Sequence, residues 1–343
     1  MNRAPGSGFE AWVAGAGPGG ESGLAWLDSR RAAARAQVRD QRIPTNKQEA
    51  WRYTSLTRLQ EQGFVPATES ITALEPQDLE FLLVPGLDAY RVVLVNGRYL
   101  PALSTVHDLP AGVRVGGLAQ LLKADPDALR DRLNGVAGDA QPLFAALNTA
   151  GLDDGLVVLL EPGARLDRPI EMLHLSVGMD EPRVAQPRHV IALDAGAQAT
   201  LIERYVSLGD SLYCTNSVLE IAVGRDAVLK HQRIQNESPS AFHITGLYLN
   251  MGAGSRYQGI NVGLGASWAR TDLTVRFAGE QAECDLQGLY LAGDRQLMDY
   301  HLDVDHAVPH CTSRENFKGI LYGKGRAVFD GRVYVARDAQ KTD

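Results

Sequence analysis

The hydrophobic pattern changes near residue 150 and divides the chain into a mixed first part and a β-rich second part. In the first part, four apolar residues recur at helical spacing: Leu24, Leu27, Ala34 and Val38. This pattern predicts an amphipathic helix with Ser22 as its N-cap, which ends before Pro44 because proline disfavours helical backbone in the residue before it. Residues 1–20 are rich in Gly, Ala and Pro, and we expect them to be disordered.

A hairpin and two further helices are predicted before residue 150. Tyr90–Val95 is rich in residues that favour strands, and Asn96-Gly97 is the favoured two-residue turn of a hairpin. Asp125-Pro126 marks the start of a second helix, and Asn134-Gly135 would close it. The apolar segment Pro142–Ala150 predicts a short third helix.

The second part shows no convincing long helix, which excludes a parallel sheet with helical crossovers there. A glycine opens each of five β-rich segments: Gly196, Gly224, Gly252, Gly279 and Gly323. Their starts differ by 28, 28, 27 and 44 residues, and we interpret the last interval as nearly two units of 22. Such a recurring interval favours a stacked solenoid. A sandwich whose turns happen to contain glycine is the alternative.

One of these segments breaks the alternation of apolar and polar residues. Lys230–Arg233 places polar groups on both faces of a predicted strand. An inward polar group is costly unless it is paired. Either this strand extends beyond the core, or the interior of the coil is partly polar.

Composition and charge exclude several classes of function. The 343 residues are 45% apolar and 22% charged, and the longest apolar run, Leu156–Leu160, is too short to span a membrane. Net charge is −7; residues 1–60 contribute +4 and the rest −11, which disfavours nucleic-acid binding. Three cysteines and an N-terminus without an apolar leader predict a cytoplasmic protein in a reducing compartment.

The densest group of chemically active side chains lies between His301 and Cys311. On a strand, His301, Asp303 and Asp305 would share one face. Imidazole and thiolate groups bind zinc or iron, and the candidate metal ligands are His301, His306, His310 and Cys311. A hydrogen-bonded polar ridge or a subunit contact is the plainer interpretation. A stand-alone metal-binding β-helix protein is the alternative function that this segment suggests.

No catalytic residue is predicted. The chain lacks a P-loop and a G-x-S-x-G nucleophile turn. Glu283/Asp285 and Asp303/Asp305 are same-face carboxylate pairs of the kind that a carbohydrate-active β-helix enzyme needs, but such pairs are common on solvated sheets. Trp51 and Tyr53 follow the first helix, and we interpret them as packing anchors rather than as a stacking site for a partner.

Four segments resemble the SufB/SufD family, and its SufD members in particular. They are PTNKQEAWRYTSL from Pro44, PLFAALNTAGLDDGLVVLLEPG from Pro142, HAVPHCTSRENFKGIL from His306 and AVFDGRVYVARDAQKTD from Ala327. The resemblance covers nearly the whole chain. It implies a mainly β fold with a right-handed parallel β-helix core over residues 151–343, preceded by a helical and mixed region over residues 21–150.

The same resemblance implies a scaffold subunit for iron–sulfur cluster assembly that is not an enzyme. Its partners would be a SufB-like subunit and the SufC ATPase, with the cluster formed at the contact with SufB. It also allows a homodimer, and a reduced flavin in the intact complex, whereas no cofactor is expected on this chain alone. The expected interface lies late in the β-helix, with the candidates Asp303, Asp305, Ser313, Lys318 and Lys341.

The sequence departs from the family pattern at its C-terminal end. Family members continue past the position of Asp343 with further β-helix turns, a Cys-Ser-His motif and a helical region. The histidine of that motif contributes to the cluster site, and the helical region docks SufC. Neither can be assigned to a residue here, so we expect a C-terminally truncated chain that does not bind the ATPase.

Overall fold

The protein is a parallel β-solenoid of about six turns with helices in its N-terminal region. A computed structural model describes residue 12 and residues 22–67, 74–178 and 181–343. The predicted disorder of residues 1–20 therefore concerns residues that, except for Trp12, lie outside the described chain. The solenoid interpretation is confirmed, and the sandwich alternative is wrong because the strands pair in parallel between successive coils.

Eighteen strands are present among the described residues. They are β1 Val65–Pro66, β2 Tyr90–Val95, β3 Arg98–Tyr99, β4 Val113–Gly117, β5 Leu156–Leu160, β6 Ile170–Val177, β7 Arg183–Ala185, β8 Arg188–Leu193, β9 Gln198–Leu208, β10 Tyr213–Val223, β11 Val228–Asn236, β12 Phe242–Met251, β13 Arg256–Gly263, β14 Trp268–Phe277, β15 Glu283–Ala292, β16 Leu297–His306, β17 Thr312–Leu321 and β18 Arg326–Val335.

These strands form two sheets, which face each other across the interior of the solenoid. The ten-stranded sheet has the order β18-β16-β14-β12-β10-β8-β5-β4, with β7 also beside β10 and β1 beside β7. The eight-stranded sheet has the order β17-β15-β13-β11-β9-β6-β2-β3. Only the pairs β2–β3 and β4–β5 are antiparallel in the described chain. Strands that precede residue 151 thus belong to the first coils of the solenoid.

Each coil contains close to 28 residues, as the glycine spacing indicates. Val228 pairs with Arg256, Arg256 with Glu283, and Glu283 with Thr312. The interpretation of the 44-residue interval between Gly279 and Gly323 as two units is wrong. Gly279 precedes β15 in the eight-stranded sheet, whereas Gly323 precedes β18 in the ten-stranded sheet. The next strand of the eight-stranded sheet is β17, and the turn before it has His310 in the left-handed region, with φ of 62°.

The helices pack against the solenoid near its N-terminal end. They are α1 Ala25–Asp40, α2 Thr57–Gln60, α3 Leu118–Ala124, α4 Asp127–Arg130 and α5 Leu143–Ala150, with 3₁₀ turns at Glu49–Trp51, Pro76–Leu82 and Pro101–Leu103. Helix α1 buries Leu27, Ala34 and Val38, as predicted. It begins later than predicted, because the Ser22 hydroxyl accepts a bond from the Leu24 N–H, before the first helical turn. Helix α4 ends before the predicted Asn134-Gly135.

The interior of the solenoid is apolar along one side and polar along the other. On β12, His243 and Thr245 point inward at the start of the strand, and Leu247, Leu249 and Met251 follow. On β11, His231 and Arg233 are buried while the intervening Gln232 is half-buried. The partly polar interior, one of the two explanations for the Lys230–Arg233 pattern, is therefore confirmed.

Aromatic rings in the last coils occupy space that glycine leaves open. Tyr290 and Gly319 are neighbours across β15 and β17, and so are Phe317 and Gly288. A Cβ atom at Gly319 would lie 2.1 Å from a ring carbon of Tyr290. Tyr290 and Tyr300 stack with ring centroids 5.4 Å apart. Small residues thus allow the aromatic side chains to fill the interior.

Candidate functional site

The polar ridge predicted on β16 exists. His301, Asp303 and Asp305 share the outward face, while His306 is buried on the inward side. The two Arg332 nitrogens contact the Asp303 carboxylate, and Nε lies 3.0 Å from Oδ1. The ridge on the outside of the ten-stranded sheet therefore includes an ion pair between Asp303 and Arg332.

The four candidate metal ligands are not brought together. His306 stacks on Phe277, and its Nε2 lies 3.1 Å from the Ser313 hydroxyl. Burial lowers the pKa of His306. His310 is exposed in its turn, whereas Cys311 is buried with Sγ 3.4 Å from the Gly279 carbonyl oxygen.

These positions argue against a metal site built from this segment alone. The inward His306 and the outward His301 lie on opposite faces of one strand. Burial raises the pKa of the Cys311 thiol, which disfavours the thiolate that binds metals. Among the residues that the structure describes, no group of three His, Cys, Asp or Glu side chains could hold a metal ion.

A second charged cluster lies where the N-terminal region crosses the ten-stranded sheet. Arg270 on β14 donates to Oδ2 of Asp299 at 2.9 Å and to Oδ1 of Asp272 at 2.7 Å. Its guanidinium also covers the Trp51 ring at 3.8 Å and bonds the Ala50 carbonyl at 2.8 Å. We call residues 41–51 the strap, because these contacts fasten this segment to the solenoid.

Sequence reasoning identified only part of the strap contact. The anchor interpretation is confirmed for Trp51, whereas Tyr53 is 60% exposed. The roles of Arg270 and Asp299 were missed, because nothing in an alternating strand shows which outward residue will be covered. Asp299 is fully buried and also accepts a bond from the Thr54 hydroxyl at 2.6 Å.

The polar half of the interior contains a connected ionic network. The Glu203 carboxylate lies 3.0 Å from Nε2 of His231 and 3.7 Å from Nε of Arg233, and it accepts the Tyr205 hydroxyl proton. Burial alone would raise the pKa of Glu203, but the hydrogen bond from His231 and the charge of Arg233 hold that pKa well below its usual range. Glu203 is therefore an ion-paired carboxylate in the core.

Two further buried histidines adjoin this network. Burial lowers the pKa of His189 to about 4, and burial together with His189 lowers that of His174 well below its usual value. Nδ1 of His189 accepts the Leu156 N–H at 3.0 Å, which requires this nitrogen to be unprotonated. Both imidazoles are thus neutral parts of the fold, and neither faces solvent.

The predicted interface residues lie on or near the last coil. Lys318 and Lys341 are exposed, and the Ser313 N–H donates to the Asp343 carbonyl at 2.8 Å. Large apolar side chains are also exposed on or beside β17 and β18: Ile320, Leu321, Tyr322, Phe329, Val333, Tyr334 and Val335. This part of the surface combines charge with apolar area, as protein interfaces often do.

Comparison with known proteins identifies the family. The model of the SufBD N-terminal region matches residues 21–172, and the SufBD core domain of the SUF system for iron–sulfur cluster assembly matches residues 175–343. An iron–sulfur cluster assembly SufBD family protein of Synechocystis is 30% identical over 325 residues, which are 92% of this chain and 71% of the relative. The chain belongs to the SufBD family.

Other SufBD relatives give the same result. The iron–sulfur cluster assembly protein SufD of Escherichia coli is 30% identical over 88% of this chain and 68% of its own length. The chloroplastic protein ABCI7 of Arabidopsis thaliana is 28% identical over 88% of this chain and 63% of its own length. The resemblance predicted from the sequence is therefore confirmed. No helix in the described part of this SufBD chain is long and apolar enough to cross a membrane.

Proposed function

We propose that this SufBD chain is a non-catalytic scaffold subunit for iron–sulfur cluster assembly and that it pairs with a SufB-like subunit in the cytoplasm. The family match over residues 21–343 supports the assembly role. The iron–sulfur cluster is the cargo of such a complex, so the proposal assigns this chain no cofactor of its own.

The observation that carries the proposal is the difference between a covered and an exposed part of the outer face of the ten-stranded sheet. The strap covers Arg270 and Asp299. By contrast, Asp303 and Arg332 are 37% and 71% exposed. A rigid solenoid with an exposed, charged part of its outer face is suited to hold a second subunit in register, because charge complementarity orients two partners.

Co-purification tests this pairing. The chain is co-expressed with a tagged SufB-like subunit from the same genome, and recovery of the pair is measured. We expect the charge reversals Asp303→Lys and Lys318→Glu to reduce recovery at least threefold. Lys230→Glu is the matched control, because Lys230 is an exposed lysine on an earlier strand of the eight-stranded sheet. Equal recovery of all variants would show that the late coils are not the interface.

Cluster assembly by the purified pair is the second measurement. Iron and sulfide are supplied, and cluster formation is followed by its visible absorption. We expect His310→Ala and Cys311→Ala to reduce cluster yield more than Cys214→Ala, because Cys214 is buried on β10, an earlier strand of the solenoid. Stoichiometric metal on this chain purified alone would favour the stand-alone metal-binding alternative instead.

A further inference from the structure

A groove of about 980 Å³ separates the strap from the outer face of the ten-stranded sheet. The strap and the start of α5 form its walls, and outward residues of β12, β14, β16 and β18 form its floor. Sites for small ligands enclose roughly 300–1,000 Å³, so this groove is large enough for a ligand of several residues. The ridge used in the proposed function lies at its margin, but the interior of the groove has no part in that function.

The two ends of the groove differ in chemistry. One end is apolar, with Pro142 and Leu143 opposite Ile244 and Tyr248. The other end is charged, and its floor is formed by Asp272, His301 and Asp330. A ligand that fills the groove must therefore combine an apolar group with a polar one.

The two arginines on the floor of the charged end are already paired with aspartates. Arg332 is paired with Asp303, and Arg270 is shared between Asp272 and Asp299. Asp330 is 47% exposed and lies 3.6 Å from Nδ1 of His301, with no other ion pair in the described chain. On the strap side, the groove is lined by one basic and one acidic residue, Arg42 and Glu49. The floor thus presents a carboxylate without a strong partner.

The hydrogen bonds beneath the floor of the groove also indicate that Asp330 lacks a strong partner. Nη1 of Arg270 has two hydrogens, and it donates them to the Ala50 carbonyl at 2.8 Å and to Oδ2 of Asp299 at 2.9 Å. Nε2 of His301 lies 2.8 Å from Oδ1 of Asp299, so the geometry favours the tautomer in which Nε2 donates to this oxygen. In that tautomer Nδ1 is an acceptor, and it lies 3.6 Å from the Asp330 carboxylate. Two neighbouring acceptors, Nδ1 of His301 and the Asp330 carboxylate, thus face the groove without a donor from the described residues between them.

We propose that the groove binds a peptide segment of a partner protein through an arginine side chain next to an apolar residue. The guanidinium lies against Asp330 and His301, and the apolar residue lies against Pro142, Leu143 and Tyr248. Arginine fits better than lysine, because its planar fork can donate to a carboxylate and an imidazole together. A peptide fits better than free arginine, because free arginine has no apolar group to fill the end of the groove at Pro142 and Tyr248.

Calorimetric titration of the whole chain with the peptide acetyl-Leu-Arg-Leu-amide tests the proposal. We expect saturable binding that weakens about tenfold when citrulline, the neutral isostere, replaces arginine, since charge-assisted bonds are roughly twice as strong as neutral ones. Asp330→Asn is expected to weaken binding to a similar degree. Asp226→Asn is the matched control: Asp226 is an exposed aspartate in a distant turn, with φ of 57°, a conformation that asparagine also adopts.

The position of the ligand is tested separately through Trp51, which lines the groove. We expect the peptide to change the tryptophan fluorescence of the chain, and Trp51→Phe to remove this change. Equal affinity for the citrulline peptide, or unchanged affinity in Asp330→Asn, would overturn the arginine site. Agmatine binding as tightly as the peptide would show a small-molecule site instead. The absence of binding at millimolar peptide would also refute the proposal, and none of these outcomes bears on pairing with a SufB-like subunit.

Discussion

The ring of Phe317 lies directly over Gly288, the residue opposite it on the neighbouring strand. A Cβ atom at position 288 would be 2.0 Å from Cδ1 of Phe317. Phe317 in turn contacts Tyr300 and Phe329, with ring centroids 5.6 Å and 5.2 Å away. A single missing side chain therefore permits an aromatic column through the last coils.

Replacing this glycine should destabilise the solenoid. We expect Gly288→Ala to reduce the free energy of unfolding by about 1–3 kcal/mol, because the Phe317 ring must move out of a packed position. Gly331→Ala is the matched control, since its Cβ would meet Phe329 at an ordinary 3.4 Å. Urea unfolding followed by circular dichroism measures both variants. Equal stability of the two would mean that the ring adjusts freely.

Acid should weaken the fold through His189. The folded state binds a proton at this residue only near pH 4, whereas the unfolded chain does so near the ordinary value of 6.5. Between these values the unfolded state binds more protons, so stability is full above pH 6.5 and is lost as the pH falls. We expect a loss of about 2 kcal/mol from this residue between pH 7 and pH 5.

His189→Asn tests this pH dependence. An asparagine oxygen can accept the Leu156 N–H that Nδ1 of His189 now accepts, and asparagine does not titrate. Urea unfolding at pH 7 and at pH 5 gives the difference for each protein. We expect a smaller difference in the variant than in the parent chain, and an identical difference would contradict the assignment.

Loss of Arg270 should release the strap. Arg270→Ala leaves the buried Asp299 without its cation, and breaking such a pair costs about 3–5 kcal/mol. We expect trypsin to cleave at Arg42, Lys47 or Arg52 much faster in this variant. The cleavage rate of Arg270→Lys should fall between those of the parent chain and Arg270→Ala, because an ammonium cannot contact both Asp272 and Asp299 in the same planar manner.

The matched control for the strap is Arg276→Ala. Arg276 is an exposed arginine on the same strand, β14. Its removal should leave both the unfolding free energy and the cleavage rate near the parent values. Rapid cleavage of this control, or slow cleavage of Arg270→Ala, would show that the strap is held by other contacts.

The three cysteines should be inert in the folded protein. Cys214, Cys284 and Cys311 are all buried, and burial raises the pKa of each thiol. Because the thiolate is the reactive form, we expect almost no alkylation by iodoacetamide at pH 8 and complete alkylation in urea. Mass spectrometry identifies the modified residues. Fast labelling of Cys311 in the native chain would indicate that the turn before β17 opens.

The sequence allowed the solenoid and most local elements to be predicted, because these depend on short-range patterns. Helix α5, the Asn96-Gly97 hairpin and the coil length of about 28 residues are examples. The glycine repeat did not mark the turn before β17, because that turn contains no glycine. His310 adopts the left-handed conformation there, as Asp226 and Gln281 do in the turns before β11 and β15.

The candidate site was less predictable, since it depends on which residues meet in space. Spacing placed His301 and Asp303 on one face, as observed. It could not show that Arg270, 29 residues before Asp299, would neutralise that aspartate beneath the strap. Nor could it show that Glu203 and His231 would pair inside the coil, because both positions are chemically unusual for a core.

The parallel pairing of the later strands, from β11 onward, with strands about 28 residues earlier has a consequence for biosynthesis. A strand such as β13 finds its partner β11 already in place, so little new chain is needed to complete each coil. The protein can therefore lengthen coil by coil as it leaves the ribosome, with the hairpin strand β2 as an early foundation.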